Sequence, residues 1–153
     1  MAGYKKHISF GVVCYIVVLA LLSLRSLSVA QVIEWGFCAI LGALFPDIDI
    51  KSKGQLVFYH FFLILLLFLV LTQQWLYVSI VSLLSIIPIL SNHRGIFHNF
   101  WFIAALVGGI IGTATFFYPH YCTVLYFDAA FFMLGIISHL LLDKGFLKSI
   151  KLS

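Results

Sequence analysis

The chain has 153 residues, of which 63% are hydrophobic and only 9% are charged. Soluble domains carry about a quarter charged residues, so this composition excludes an ordinary soluble protein and indicates one membrane domain over residues 1–153. The formal net charge of +4 is too sparse to form a nucleic-acid-binding surface. We therefore expect membrane lipids around the chain and no direct contact with nucleic acid.

Uncharged stretches divide the chain into predicted membrane helices. A membrane helix needs about 17 to 25 apolar residues, and the predicted spans cover residues 7–24, 26–46, 55–71, 75–90, 99–118 and 122–143. The polar residues Thr72-Gln73-Gln74 separate the third span from the fourth, and Pro119 ends the fifth because proline cannot extend a helix. The predicted fold is an all-α membrane protein with a bundle of six transmembrane helices, or five if one hairpin is re-entrant.

The first span has some features of a signal peptide. Lys5 and Lys6 precede it, and Ser28-Val29-Ala30 resembles a small-residue cleavage site. Its apolar stretch is longer than the usual signal core of about 7 to 15 residues. We therefore predict a retained membrane helix.

The basic residues support the six-helix topology. Under it, one side of the membrane receives both termini, the second loop and the fourth loop, and that side holds eight of the nine basic residues: Lys5, Lys6, Lys51, Lys53, Arg94, Lys144, Lys148 and Lys151. The other side holds only Arg25. Since short cytoplasmic segments carry the excess of Lys and Arg, we predict that both termini are cytoplasmic.

The same topology brings metal-capable side chains from four segments to the cytoplasmic face. They are His and Asp residues at helix ends and in loops, and we predict all of them as metal ligands: His7, Asp47, Asp49, His93, His98, His139 and Asp143. The helix assignment did not depend on the identity of these residues. Their convergence is therefore an independent indication of a site.

Local spacing fits metal binding. His139 and Asp143 are four residues apart, which places their Cβ atoms about 5–6 Å apart on one helix face. Asp47 and Asp49 follow Pro46, where a turn or extended backbone lets two carboxylates converge or bridge two ions. The fourth-loop histidines are five residues apart around Gly95, which suits a loop that enters a helix.

The ligand types favour some metals over others. Nitrogen and oxygen donors without thiolate suit zinc, with manganese or iron as alternatives, better than calcium. Seven candidates exceed the needs of one tetrahedral ion, so we expect one or two divalent ions. The cysteines Cys14, Cys38 and Cys122 lie in or beside apolar runs without metal-ligand spacing, and we interpret them as small apolar residues.

Several of these residues also have simpler explanations when taken singly. Asp47 or Asp49 alone is typical of a turn former after proline, and Arg94 alone is typical of a topology determinant. His120, on the outer side, is interpreted as an interfacial residue. Arg94 between two histidines can also bind a phosphate or carboxylate with its planar guanidinium.

Three further acidic or histidine residues lie within the predicted spans. Glu34 and Asp128 are near the outer ends of their helices, where they either reach the headgroups or act inside the membrane. His60 lies inside the third span and is a candidate ligand or a partner that orients one.

The ordered motifs resemble a known family. The sequence reads FPDID at 45–49, then Ser52, then HRGIFH at 93–98 and SHLLLD at 138–143, after the early His7. This order is similar to the bacterial inner-membrane family of metal-dependent hydrolases, whose members carry PDID, HRGxTH and SHxxxD motifs. Some members are described as LexA-binding or LexA-regulated. The chain differs from the family pattern at four positions: Ile50, Phe97, Asn99 and Phe146.

The resemblance implies an inner-membrane enzyme. We expect a metal-dependent hydrolase of an ester or phosphoester, with a lipid or lipid-linked substrate at headgroup depth. Arg94 would stabilise negative charge, and Asp49, or Asp47, would transfer the proton. A repressor-type protein partner is also implied.

Two other functions remain open at this stage. One is a non-catalytic, metal-stabilised membrane scaffold or regulatory binding protein, in which metal coordination is complete. The other is a cation or proton transporter that uses Glu34, Asp128 and His60 as intramembrane relays.

Overall fold

The computed structural model of the chain describes residues 4–22, 27–48, 53–90, 97 and 99–144. Its α-helices are α1 (Tyr4–Leu21), α2 (Val29–Leu44), α3 (Lys53–Leu71), α4 (Trp75–Leu90), α5 (Phe100–Phe117) and α6 (Cys122–Lys144). Short 3₁₀ turns at Phe45–Asp47 and Pro119–Tyr121 follow α2 and precede α6. Over these described residues the predicted all-α helical bundle, with six helices or five, is confirmed.

Most of these helices are long and apolar enough to cross a membrane. Within the described ranges, five segments meet that condition: Tyr4–Leu21, Val29–Asp47, Lys53–Leu71, Phe100–Phe117 and Pro119–Asp143. α4 is shorter, at 16 residues. Bulky apolar side chains such as Leu63, Leu67 and Phe116 are more than half exposed, as expected of helices that face lipid tails rather than water.

The predicted helix boundaries have local causes in the structure. α3 ends at Leu71, and Gln73 adopts a left-handed conformation with φ of 58° before α4 begins at Trp75. Such a conformation is uncommon for a residue with a side chain and interrupts a helix. Pro119 opens the 3₁₀ turn after α5. Both predicted breaks are therefore confirmed.

Ser28, the first residue of the cleavage-like triplet, is the N-cap of α2. Its hydroxyl accepts a hydrogen bond from the Gln31 backbone N–H at 3.2 Å, and the Gln31 side chain accepts one from the Ser28 backbone N–H at 3.0 Å. This reciprocal capping box satisfies two donors that a helix start would otherwise leave unpaired.

α2 and α6 form the closest helix pair. A Cβ atom added at Gly135 would collide with the backbone of Ala39, and one added at Gly42 would collide with the backbone of Phe132. Small residues let two membrane helices approach until their backbones nearly touch, which gains van der Waals contact without help from water. The α2–α6 contact therefore depends on the absence of side chains at these two glycines.

α1 packs against both members of that pair. The Tyr15 hydroxyl donates a hydrogen bond to the Val32 carbonyl oxygen at 2.6 Å, which ties α1 to α2. Trp35 of α2 stacks on Phe131 of α6 with ring centroids 5.0 Å apart. Gly11 faces Ala43, with 2.9 Å between the Ala43 Cβ and a Cβ built at Gly11. These contacts make α1, α2 and α6 a three-helix core.

The remaining helices surround this core. α5 packs against α6 through the buried Ile103 and Ile136. α3 pairs with α4, and the Tyr59 hydroxyl donates to the Ser85 carbonyl oxygen at 3.0 Å. This antiparallel arrangement puts the start of α1, the end of α2 and the end of α6 at one end of the bundle.

Candidate metal centre

Three helix ends of the core carry the candidate ligands. His7 lies one turn into α1, and His139 and Asp143 lie in the last turns of α6. Asp47 is the last residue of the 3₁₀ turn Phe45–Asp47, which follows α2 and contains Pro46. Both histidines are buried, with exposures of 1% for His7 and 0% for His139. The predicted convergence of these four residues is observed.

The side chains meet at short and similar distances. His139 Nε2 lies 3.6 Å from Asp47 Oδ1 and 3.5 Å from Asp143 Oδ2. His7 Nε2 lies 3.6 Å from Asp143 Oδ1. One ligand atom each from His7, Asp47 and His139 lie within 4.8 Å of one another. These atoms therefore surround a common point.

The distances suit a shared ion better than direct hydrogen bonds. N–H···O hydrogen bonds are about 2.7–3.2 Å long, shorter than the 3.5–3.6 Å observed between these nitrogen and oxygen atoms. Bonds of about 2.0–2.2 Å to a tetrahedral zinc ion place two ligand atoms about 3.3–3.6 Å apart. The group therefore has the geometry to hold a metal ion.

The hydrogen bond of His139 determines which ring nitrogen faces the group. His139 Nδ1 lies 2.7 Å from the Ala43 carbonyl oxygen, and both groups are buried. A carbonyl oxygen can only accept, so Nδ1 carries the hydrogen and Nε2 of the neutral ring holds a lone pair. Metal-binding histidines almost always make this second interaction, which fixes the ring and raises its basicity.

His7 is aligned by stacking rather than by a hydrogen bond. Its ring lies on that of His139 with centroids 3.9 Å apart and an interplanar angle of 14°. Both Nε2 atoms are therefore directed to the same side, towards Asp143. His7 Nδ1 is buried and has no hydrogen-bond partner among the described residues.

The turn that carries Asp47 is held from two sides. Pro46 and Ile48 are buried, which anchors the backbone on either side of the carboxylate. The Gln55 side chain of α3 donates a hydrogen bond to the Ile48 carbonyl oxygen at 2.9 Å. Asp47 is consequently held in place by packing, although its own side chain remains 16% exposed.

Other predicted site residues lie outside the described ranges. These are the ligand candidates Asp49, His93 and His98, the anion-binding candidate Arg94, and Ser52 and Ile50 of the family comparison. His60 is described but does not join the group. It is exposed on α3, and its Nδ1 lies 2.6 Å from the Leu56 carbonyl oxygen of the same helix.

The polar residues predicted near the other side are indeed remote from the group. His120 is exposed beside Tyr121 in the 3₁₀ turn that precedes α6. Asp128 precedes His139 by eleven residues of α6, a rise of about 16 Å along a helix. Glu34 is exposed in the first half of α2.

Two of the departures from the family motif have structural roles. Phe97 is buried, with 3% exposure, and meets the Phe45 ring edge to face at 5.6 Å between centroids. Asn99 is the N-cap of α5, where its side-chain oxygen accepts a hydrogen bond from the Trp101 N–H at 3.0 Å. Phe97 therefore contributes aromatic packing, and Asn99 caps α5.

Sequence reasoning missed two groups that position the site. The Ala43 carbonyl orients His139, and Gln55 braces the turn after Asp47. A backbone carbonyl carries no sequence signal. Ala43 lies four residues before Asp47, and only the antiparallel packing of α2 on α6 places it next to His139.

The fold and the site define a multi-pass membrane protein with a His/Asp cluster at one end of its bundle. The family model of the YdjM inner membrane protein matches residues 1–152. The chain therefore belongs to the YdjM inner membrane protein family. No curated protein and no solved structure matches it significantly.

Proposed function

We propose that this protein is a membrane-embedded, metal-dependent hydrolase of an ester or phosphoester. The proposal rests mainly on the geometry of one group of side chains, in which three nitrogen–oxygen distances lie between 3.5 and 3.6 Å. The group consists of His7, Asp47, His139 and Asp143. The hydrogen bond from His139 Nδ1 to the Ala43 carbonyl supports the proposal, because it directs the Nε2 lone pair into the group.

The donor set favours zinc, with manganese or iron as alternatives. Two imidazole nitrogens and two carboxylates suit these ions, whereas calcium prefers six to eight oxygen ligands. Asp49, His93 and His98 are proposed as further ligands, since Asp49 follows Asp47 in FPDID and the two histidines belong to HRGIFH, another motif of the family resemblance. Together the seven residues provide enough donors for one or two ions.

A divalent ion at this position would supply Lewis acidity and make water acidic enough to ionise near neutral pH. Hydrolysis adds the water oxygen to the acyl carbon or phosphorus and returns a proton to the leaving oxygen. We assign the proton transfer to Asp49, with Asp47 as the alternative. We assign to Arg94 the binding of the negative charge that develops on the substrate.

Metal content and turnover test the proposal together. Purified protein in detergent is analysed for bound metals and then incubated with a chromogenic ester and a chromogenic phosphodiester, with and without added zinc or manganese. We expect bound metal, and hydrolysis that a chelator abolishes. Metal-replete protein without turnover on these substrates and on phospholipid vesicles would contradict the hydrolase proposal.

Arg94→Lys separates substrate binding from membrane orientation. Lysine preserves the positive charge that orients a membrane protein but lacks the planar, two-pronged guanidinium. We expect unchanged insertion and metal content and about a hundredfold lower kcat/KM, as for loss of one charge-stabilising contact. The matched control is Lys53→Arg, at the exposed start of α3, which should leave both properties unchanged. A silent Arg94→Lys variant would argue against the assigned role.

The alternative function is a non-catalytic scaffold held together by metal. It is favoured by the fact that the ligands come from α1, α2 and α6, so that one ion would join three helices. A scaffold needs no open coordination position and no turnover. The repressor-type partner implied by the family resemblance belongs with this alternative and would be sought by co-purification.

A further inference from the structure

An apolar cavity lies beside the His/Asp cluster. It has a volume of about 340 Å³ and lies between α2, α3, α5 and α6. Every described residue that lines it is aliphatic or aromatic, and phenylalanine is the most frequent of them. This volume is within the range of about 300–1,000 Å³ that is usual for small-molecule sites.

The cavity and the cluster share one turn of the chain. Phe45 and Ile48 line the cavity, while Asp47, between them, belongs to the cluster. Phe132 of α6 lines the cavity two turns before His139 on the same helix. A molecule in the cavity would therefore end close to the group of ligands.

The length of the cavity corresponds to one leaflet of a membrane. Its α5 wall runs from Phe102 to Ile110, a rise of about 12 Å at 1.5 Å per residue. Half of a hydrocarbon core of about 30 Å is about 15 Å. The cavity thus extends from the end of the bundle that carries the cluster through most of the adjacent leaflet.

The cavity is continuous with the lipid-facing surface. Two residues of its wall are also exposed on the outside of the bundle, Phe102 at 41% and Ile110 at 52%. Because this outer surface contacts lipid tails in a multi-pass membrane protein, a tail can enter sideways without crossing a polar barrier.

We propose that the cavity binds one hydrocarbon chain of a membrane lipid from this leaflet and thereby presents the headgroup bond of that lipid to the cluster. The substrate class is then a lipid ester or phosphoester. This assignment of substrate rests on the proposed hydrolase function, whereas occupation of the cavity by a lipid chain requires neither metal nor turnover.

Photo-crosslinking tests occupation directly. The full chain is reconstituted into vesicles of phosphatidylethanolamine and phosphatidylglycerol that contain a phosphatidylglycerol with a diazirine in its acyl chain, and labelled peptides are identified by mass spectrometry. We expect labelling concentrated on cavity residues and reduced by excess unlabelled phosphatidylglycerol. Labelling spread evenly over the exposed residues of all helices would overturn the proposal, since it would represent ordinary bilayer contact.

A matched pair of variants on α5 sharpens the test. Leu106→Trp fills the cavity, whereas Ala105→Trp adds a larger volume at a neighbouring exposed position that does not line it. We expect Leu106→Trp to reduce cavity labelling about tenfold, because one extra methylene group in an apolar pocket already weakens binding by about that factor. Ala105→Trp should leave the labelling unchanged. Equal labelling of both variants would overturn the proposal. If Leu106→Trp does not fold, the proposal is tested by the positions of the labelled peptides in the wild-type protein and by their competition with unlabelled phosphatidylglycerol.

The two proposals fail in different ways. Competed labelling of the cavity in a protein that binds no metal would overturn the hydrolase function and support lipid binding. Metal-dependent turnover of the soluble chromogenic substrates without cavity labelling would overturn lipid binding alone. The His139→Ala variant provides the internal control, because it should lose metal and retain labelling.

Discussion

Glycine has different surroundings in the two halves of the bundle, the core half of α1, α2 and α6 and the looser half of α3, α4 and α5. In the core of α1, α2 and α6, Gly42 and Gly135 are sites where a Cβ would collide with the facing backbone. On α5, by contrast, Gly108, Gly109 and Gly112 have no atom of the described residues within 4 Å of an added Cβ. The same residue type therefore specifies close packing in one half and none in the other.

This difference has a consequence for the site. The candidate ligands that the structure describes all belong to the tightly packed half, where backbones in contact hold the side chains at fixed separations. A metal site requires its ligands within about 0.5 Å of the productive geometry. α3 and α5, outside that half, contribute most of the wall of the apolar cavity, and α2 and α6 complete it. A flexible chain in this cavity needs shape but little directional precision.

The largest expected effect belongs to a ligand of the core. His139→Ala should lose the bound metal and lower the melting temperature in detergent by about 10 °C, which corresponds to about 3 kcal/mol for a site filled at 100 times its Kd. Elemental analysis and a thermal melt measure the two effects.

His60→Ala is the control for this experiment. His60 is an exposed histidine on α3 and bonds within its own helix, so its removal should change neither metal content nor melting temperature appreciably. Equal metal content in the two variants would contradict the assignment of the site to the core half.

A smaller effect is expected from the glycine contacts. Gly135→Ala should destabilise the protein by about 1–3 kcal/mol, the usual cost of overpacking, because the new Cβ meets the backbone of Ala39 and Ala43. The added Cβ of Gly112→Ala on α5 meets no atom within the described part of the chain, so this variant should be neutral or stabilised by up to about 1 kcal/mol through helix propensity. Denaturation in detergent compares them, and equal destabilisation would remove the distinction between the halves.

The smallest effect on stability is expected for single-cysteine variants that report the orientation of the chain in the membrane. Single cysteines at positions 3, 52 and 150 should be protected in intact cells from a membrane-impermeant reagent, whereas a cysteine at Pro119 should react. The reason is the excess of basic residues on the side that carries the cluster. Reaction at position 52 from outside would contradict the cytoplasmic position of the candidate site.

Much of the fold could be predicted from the sequence. The scarcity of charge indicated a membrane protein, and the predicted fourth span, residues 75–90, has the observed bounds of α4. Uncharged length and helix-breaking residues are local properties, so they can be recognised without knowledge of the partners. α1 begins three residues before its predicted span because Tyr4, Lys5 and Lys6 continue the helix beyond the apolar stretch.

The candidate site could be predicted only in part. Helix alternation indicated that His7, Asp47, His139 and Asp143 lie at one end of the bundle, because each antiparallel helix reverses the direction of the chain. The sequence by itself thus determined the helices and the end at which the candidate ligands lie.

The tertiary structure alone decided which helices touch. Contact of α1, α2 and α6, the bond from His139 to the Ala43 carbonyl, and the cavity beside Asp47 all depend on distances between segments far apart in sequence. Apolar periodicity cannot specify such contacts in a membrane protein, because lipid tails and neighbouring helices are equally apolar surroundings. Close packing therefore determines which helices touch, and it depends on the shapes of both helices together.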